Sequence, residues 1–234
     1  RALVVSTLEG RTPFTEAFHF DHEEIDSACV DALKAGGFLP QRPEPIRIEA
    51  FIETHFQCTV DYRRLEPGIM GFTSFTRDGR VKEVVISAAL AEGGIVDRRR
   101  VNSTFAHEGG HCLLHASLFI DAGQTTLIGD DVDFGERRIM CRDTEVGYDR
   151  KAGVRWWEYQ ANRAIGGFLL PRALLLDALD DLVKRAPVTG VPSLRPENRE
   201  TASRRLADVF DVNPIVARIR LSEVLPEAGA QMEF

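Results

Sequence analysis

The stretch Thr104-Phe105-Ala106-His107-Glu108-Gly109-Gly110-His111-Cys112-Leu113-Leu114-His115 decides how this chain is read. On a helix, His107 and His111 lie four residues apart, one above the other on a single face, where two imidazoles can share a metal ion. Glu108 then projects to the side of that ion rather than at it. This is the H-E-x-x-H arrangement of metal-assisted peptide hydrolysis, with the glutamate as general base. Two histidines are only half a site, so the remainder of the chain has to supply a third ligand. Once the histidines are set aside the helix, roughly residues 99–118, is apolar on nearly every side, which marks it as buried. Gly109 and Gly110 each cost about 1 kcal/mol relative to alanine in a helix. Keeping two of them implies a close neighbour along that backbone.

The second informative stretch is Trp156-Trp157-Glu158-Tyr159-Gln160-Ala161-Asn162-Arg163-Ala164-Ile165, running on to Pro171. Glu158, Ala161, Asn162, Ile165 and Leu169 share one helical stripe, apolar at one end and carrying a carboxylate at the other. A carboxylate turned to the core needs a cation or a metal. A metal that already has two histidines is one such partner, and Arg155 or Arg163 is the alternative. Asn162, one turn on, is placed to orient a ligand imidazole or Glu158 itself. The pair of stretches therefore predicts a His107, His111, Glu158 site with a position left for water.

The chain has 234 residues and a formal net charge of −7, enough length for a sizeable core and the wrong sign for broad affinity to nucleic acid or anionic membrane. No apolar run reaches membrane-spanning length, and the opening residues lack a signal-peptide pattern. Cys29, Cys58, Cys112 and Cys141 show neither C-x-x-C nor framework spacing, so free thiols in a cytoplasmic setting are expected.

Residues 1–20 read as an extended lead-in. Asp21 and Glu24 then resemble a capping box ahead of Ile25, Cys29 and Leu33, with Gly36-Gly37 as the stop. Ile48, Phe51, Ile52 and Phe56 mark a second amphipathic helix. Residues 69–76 and 81–87 are β-type runs joined across Asp78-Gly79, a strong hairpin signal, and 60–62 and 137–142 are possible further strands. The fold class expected is α+β: a zincin-like peptidase core with a small mixed sheet, the H-E-x-x-H helix, a second ligand helix and a C-terminal helical segment. Residues 1–185 form the peptidase-like domain, and 186–234 a linker and C-terminal segment.

The run T-F-A-H-E-G-G-H-C-L-L-H resembles the fTlaHElGHlllH motif of the ImmA/IrrE-type metallopeptidases. W-E-Y-Q-A-N-R-A-I-G-G-F-L-L-P is similar to that family's E-x-x-AN-x-FA-x-x-LLMP motif. The resemblance covers roughly residues 46–171 and departs from the pattern at Gly166-Gly167 and at Leu170. It implies Zn2+ (or another divalent ion such as Mn2+) on His107, His111 and Glu158, with Glu108 as the base. It further implies a bacterial, intracellular protease whose substrate is a specific protein such as a helix-turn-helix transcriptional repressor.

The reaction expected is attack of metal-bound water on a peptide carbonyl, with Glu108 taking the proton and passing it to the leaving amine. Tyr148, Tyr159 and His115 are the candidates for stabilising the oxyanion. Strand 81–87, taken as a sheet edge, is a candidate for pairing with an extended substrate. His115 continues the i, i+4 series, yet it lies about 12 Å along the helix from His107 at ~1.5 Å per residue. A supporting role behind a ligand is therefore expected of it rather than coordination. Arg98-Arg99-Arg100 reads as a solvated helix start, with grip on an acidic substrate as the alternative. Beyond a helix over 173–183 and a linker over 187–196, residues 206–225 resemble a helix-turn-helix turning near Asp211. Its acidic residues favour packing or protein docking over direct nucleic-acid binding. A regulatory or DNA-associated protein with a structural or vestigial metal site is the competing reading, and the intact Glu108 argues against it.

Overall fold

The computed structural model describes residues 4–7, 16–120, 132–133, 137–142, 155–186 and 188–227. It is a mixed α+β structure. Strands β1 (Val4–Thr7) and β2 (Glu16–His19) pair antiparallel, so the lead-in contains a small two-stranded sheet. Helix α1 (His22–Ala35) starts on the expected capping box: the Glu24 amide donates to Asp21 Oδ1 and the Asp21 amide to Glu24 Oε2, both at 2.8 Å. Its stripe of Ile25, Cys29 and Leu33 is fully buried. Helix α2 (Ile48–Phe56) buries Ile48, Phe51 and Ile52.

The main sheet has five strands in the order β3 (Thr59–Arg63), β5 (Val81–Ser87), β4 (Ile69–Phe75), β7 (Arg138–Arg142) and β6 (Val132–Asp133). Strand β3 runs parallel to β5 and the other pairings are antiparallel, so the sheet is mixed. The Asp78-Gly79 turn joins β4 to β5, with Gly79 at φ 74°. The placing of 81–87 at an edge is corrected here. β5 is an inner strand, flanked by β3 and β4, and Val84, Val85 and Ile86 are fully buried. A run apolar at consecutive positions suits a strand covered on both faces, whereas an edge strand is usually broken up by charge. Arg63 on β3 also locks the pairing with an ion pair to Glu83 on β5, 2.7 Å.

A short helix, α3 (Ala88–Ala91), leads into α4 (Ile95–Leu114), the H-E-x-x-H helix. Helix α4 starts earlier and stops sooner than its apolar pattern indicates, because Ala116–Phe119 tightens into a 3-10 turn. It lies on β4 and β5 and against α5 (Trp156–Leu169). A Cβ at Gly110 would sit 2.9 Å from Ala161 Cα and from Ala164 Cβ, so this glycine lets the two ligand helices touch backbone to backbone. Gly109 faces only Ile52 and Phe168, at 3.4 Å, an ordinary contact. Of the two glycines, one answers the expectation of a close neighbour.

The C-terminal third differs from its sequence reading. Helix α6 (Arg172–Ala178) is shorter than 173–183, and the region expected to be a linker forms a hairpin, β8 (Val183–Arg185) with β9 (Pro192–Leu194). A 185/186 boundary therefore falls inside a hairpin. Helices α7 (Arg199–Val209) and α8 (Pro214–Val224) turn through Asp211, at φ 50°. Leu206, Phe210, Val216 and Leu221 belong to the same buried cluster as the α4 and α5 side chains.

No helix among the described residues is long and apolar enough to cross a membrane. All four cysteines are free and buried.

Candidate metal centre

Helices α4 and α5 bring His107, His111 and Glu158 together, with one ligand atom from each within 4.8 Å of the others. The side chains are almost wholly buried, at 1 %, 0 % and 2 % exposure. His107 Nε2 lies 3.1 Å from His111 Nε2 and 3.2 Å from Glu158 Oε2, and His111 Nε2 lies 3.5 Å from Glu158 Oε1. Both Glu158 oxygens are buried and neither meets hydrogen-bond geometry with a partner. The carboxylate thus stands close to two imidazoles without bonding to them as donors.

The surrounding bonds explain why these atoms converge. His107 Nδ1 is 3.0 Å from Asn162 Oδ1, an acceptor, so the ring proton is assigned to Nδ1 and Nε2 is left with its lone pair. His115 Nε2 is 2.9 Å from Gln160 Oε1, which assigns that proton to Nε2 and makes His115 Nδ1 an acceptor. His111 Nδ1, 2.9 Å from His115 Nδ1, must then be the donor, and His111 Nε2 also keeps its lone pair. Two lone pairs and a carboxylate facing one point repel each other unless a cation sits between them. The group can hold a metal ion, with each histidine oriented by a hydrogen bond from its far nitrogen, as metal-binding histidines usually are.

The two carboxylates sit in different electrostatic surroundings. Burial alone would raise the Glu158 carboxyl, but the two histidines beside it, His111 foremost, hold it well below the usual carboxylate range. Burial drives His115 down to about 3, so it is a neutral imidazole, as accepting from His111 at Nδ1 requires. Glu108 differs from Glu158. Burial pushes it up to about 8, against the pull of the neighbouring His107 and of a bond from Thr73. Thr73 Oγ1 donates to Glu108 Oε2 at 2.6 Å, and Glu108 Oε1 is buried with no hydrogen-bond partner. Gly71 on β4 makes room for that oxygen, since a Cβ there would lie 3.1 Å from Oε1 and 2.8 Å from Val85 O.

Of the residues anticipated from sequence, His107, His111, Glu158, Asn162 and His115 are brought together here, with Glu108 alongside. Arg155 and Arg163 do not hold Glu158: Arg163 pairs with Glu223 and Arg155 lies over the Trp157 ring. Tyr159 is corrected as an oxyanion donor. Following Glu158 directly, it lies about 100° round α5 from that carboxylate, and its hydroxyl is 2.7 Å from His22 Nε2 on α1. His115, fully buried behind His111, is likewise unavailable to an oxyanion. Tyr148 lies outside the described residues. Arg98 and Arg99 are not a free basic start to the helix: both pair with Asp211, and Arg99 also with Asp208. Thr73 and Gln160 had not been foreseen. Gln160 carried a signal, since a polar residue in an apolar helix next to a ligand needs a polar partner. Thr73 carried none, because its place depends on how the sheet meets α4.

No protein-family model matches the chain, and no curated protein matches it. The functional reading therefore rests on the motifs and the geometry.

Proposed function

We propose that this protein is a zinc-dependent endopeptidase with a zincin-like core, related to the ImmA/IrrE-type metallopeptidases. The observation that carries the reading is Glu108: a buried carboxyl beside the three donors, gripped on one oxygen by Thr73 and open on the other. A purely structural metal site has no use for such a group. The donor set of two imidazoles and one carboxylate is that of hydrolytic zinc sites, which keep a fourth position open, and Mn2+ is an alternative ion. When bound, the metal supplies Lewis acidity toward a carbonyl and lowers the pKa of water.

The chain's own residues do the rest. Asn162 and the His115–Gln160 pair hold the two imidazoles in the tautomer that offers Nε2. Thr73 fixes the Glu108 carboxylate through Oε2, leaving Oε1 to take a proton from the attacking water and return it to the departing amine nitrogen. As the C–N bond breaks, Glu108 ends in its starting state. The proposed substrate is a specific protein, and the family resemblance points to a helix-turn-helix transcriptional repressor. Cytoplasmic location is proposed with it, in keeping with four free thiols.

The test compares the zinc-loaded parent with Glu108→Gln on a panel of helix-turn-helix repressors. Retention of about one equivalent of zinc with cleavage lowered at least ~100-fold is the expected result, the usual scale for a general base. Equal cleavage by the two proteins would refute the reading. A regulatory protein with a vestigial site would bind zinc and cut nothing in either form.

A further inference from the structure

Helix α8 is held to the molecule by different means at its two ends. Toward its C-terminus the buried Arg220 guanidinium bonds to Asp26 of α1 at 2.9 Å and to Leu170 O at 3.1 Å. Its other end follows the turn at Asp211, and that turn is held by charges nearer the surface. Asp211 takes Arg98 at 2.8 Å and Arg99 at 3.0 Å from the start of α4, and Arg99 also reaches Asp208 at 3.2 Å. The backbone of Asp211 is left-handed, at φ 50°, a conformation that costs free energy in any residue but glycine. The turn is therefore a strained one, kept in place by two guanidiniums.

What this turn covers is the metal centre. A cavity that opens onto His107 is walled by Met70, Cys141 and Ile165 and, from the α8 side, by Asn213, Ile215 and Val216. It holds about 90 Å³, well below the ~150 Å³ of a cavity that accepts one benzene ring. Water can enter it and a peptide chain cannot. We infer that residues 211–216 are a gate over the metal centre, shut by the Arg98–Asp211–Arg99 cluster and hinged on the Arg220 anchor, and that the structure shows the shut form. That a protein substrate enters when the gate opens rests on the peptidase reading, whereas the opening itself does not. A gate held by charge yields to whatever screens or competes for the two arginines, and salt is the simplest such agent.

Asp211→Asn removes the charge and keeps a side chain that tolerates left-handed backbone, so the turn can still form. Hydrogen exchange of the zinc-loaded full chain is followed by NMR at three amides. Ile215 N donates to Asn213 Oδ1 at 3.0 Å and Ala217 N to Asn213 O at 3.1 Å, both at the gate, while Leu225 N donates to Leu221 O at 2.8 Å at the anchored end. Exchange at Ile215 and Ala217 should rise about tenfold in the variant, the scale of losing charge-assisted bonds, with no change at Leu225. Withdrawal of zinc by the chromogenic chelator pyridylazoresorcinol should quicken in step, because opening exposes the ligands. Adding about 0.5 M NaCl should quicken both in the parent and much less in the variant. Arg98→Ala, which loses the more exposed of the two partners, should fall between them. Unchanged exchange at Ile215 and Ala217, an equal rise at Leu225, or a zinc rate that does not follow overturns the gate. Cleavage of the repressor panel separates the two readings. Faster cutting by Asp211→Asn supports both, and equal cutting by parent and variant overturns the gate and leaves the peptidase standing. The exchange and zinc responses without cleavage by either protein leave the gate standing and overturn the peptidase.

Discussion

Glu108 and Glu158 are the same side chain placed in two kinds of burial. Glu158 faces two imidazoles and stays ionised, while Glu108 has one hydroxyl donor and is pushed up to about 8. The roles proposed for them, ligand and base, draw on that difference. The His111–His115–Gln160 chain is the less obvious part, because it determines which nitrogen of His111 is presented. Gln160→Leu keeps the volume of the side chain and removes the acceptor for His115. His115 is then free to place its proton on Nδ1, which competes with the His111 donor and weakens the ligand tautomer. Zinc affinity is expected to fall about 10- to 100-fold, the scale seen when a partner behind a ligand is lost. Competition with a fluorescent chelator measures it. Glu158→Gln should be more severe and abolish the zinc-induced rise in melting temperature, and an unchanged rise would remove Glu158 from the site.

At the scale of elements, the distance between α4 and α5 sets whether a site exists at all. The two glycines of the motif helix give a paired prediction with opposite signs. Gly109→Ala meets only an ordinary contact with Ile52, and the gain in helix propensity should stabilise the protein by about 0.5–1 kcal/mol. Gly110→Ala drives a methyl to 2.9 Å from the α5 backbone, and overpacking of about 1–3 kcal/mol outweighs that gain. It also pushes Glu158 away from the histidines, so zinc binding should weaken along with stability; thermal melts with and without zinc test both. The helices, the hairpin and the ligand triad were legible because each is written in local spacing. Even the inner position of β5 was readable, in the unbroken apolar run Val84-Val85-Ile86. What was not legible depends on tertiary register: Thr73 reaches Glu108 only because β4 passes beneath α4, and the Tyr159 hydroxyl meets His22 because α1 packs against α5.

The whole molecule is held at its C-terminal end by a buried charge network. Arg220 on α8 is 1 % exposed and bonds to Asp26 of α1 at 2.9 Å, to Glu223 at 3.2 Å and to Leu170 O at 3.1 Å. Glu223 also pairs with Arg163 of α5. Gly166 leaves room for the Arg220 stem, 2.8 Å from where a Cβ would be. Arg220→Met would take the guanidinium from Asp26 and leave Glu223 to Arg163, and about 3 kcal/mol of stability, the low end for a broken buried pair, should be lost in urea unfolding. By contrast, Arg98→Ala removes a largely exposed partner of Asp211 and should cost within about 1 kcal/mol. These contacts make α7 and α8 part of the one core. A chain ending at residue 198 would uncover the side of α5 that carries Arg163 and Gly166 and remove Leu206, Phe210, Val216 and Leu221 from the shared cluster. Loss of a cooperative melt and binding of a hydrophobic dye are the expected outcomes. If the shortened chain instead melts cooperatively and still binds zinc, residues 1–185 are an independent domain after all, and α7 and α8 only cover a core that forms without them.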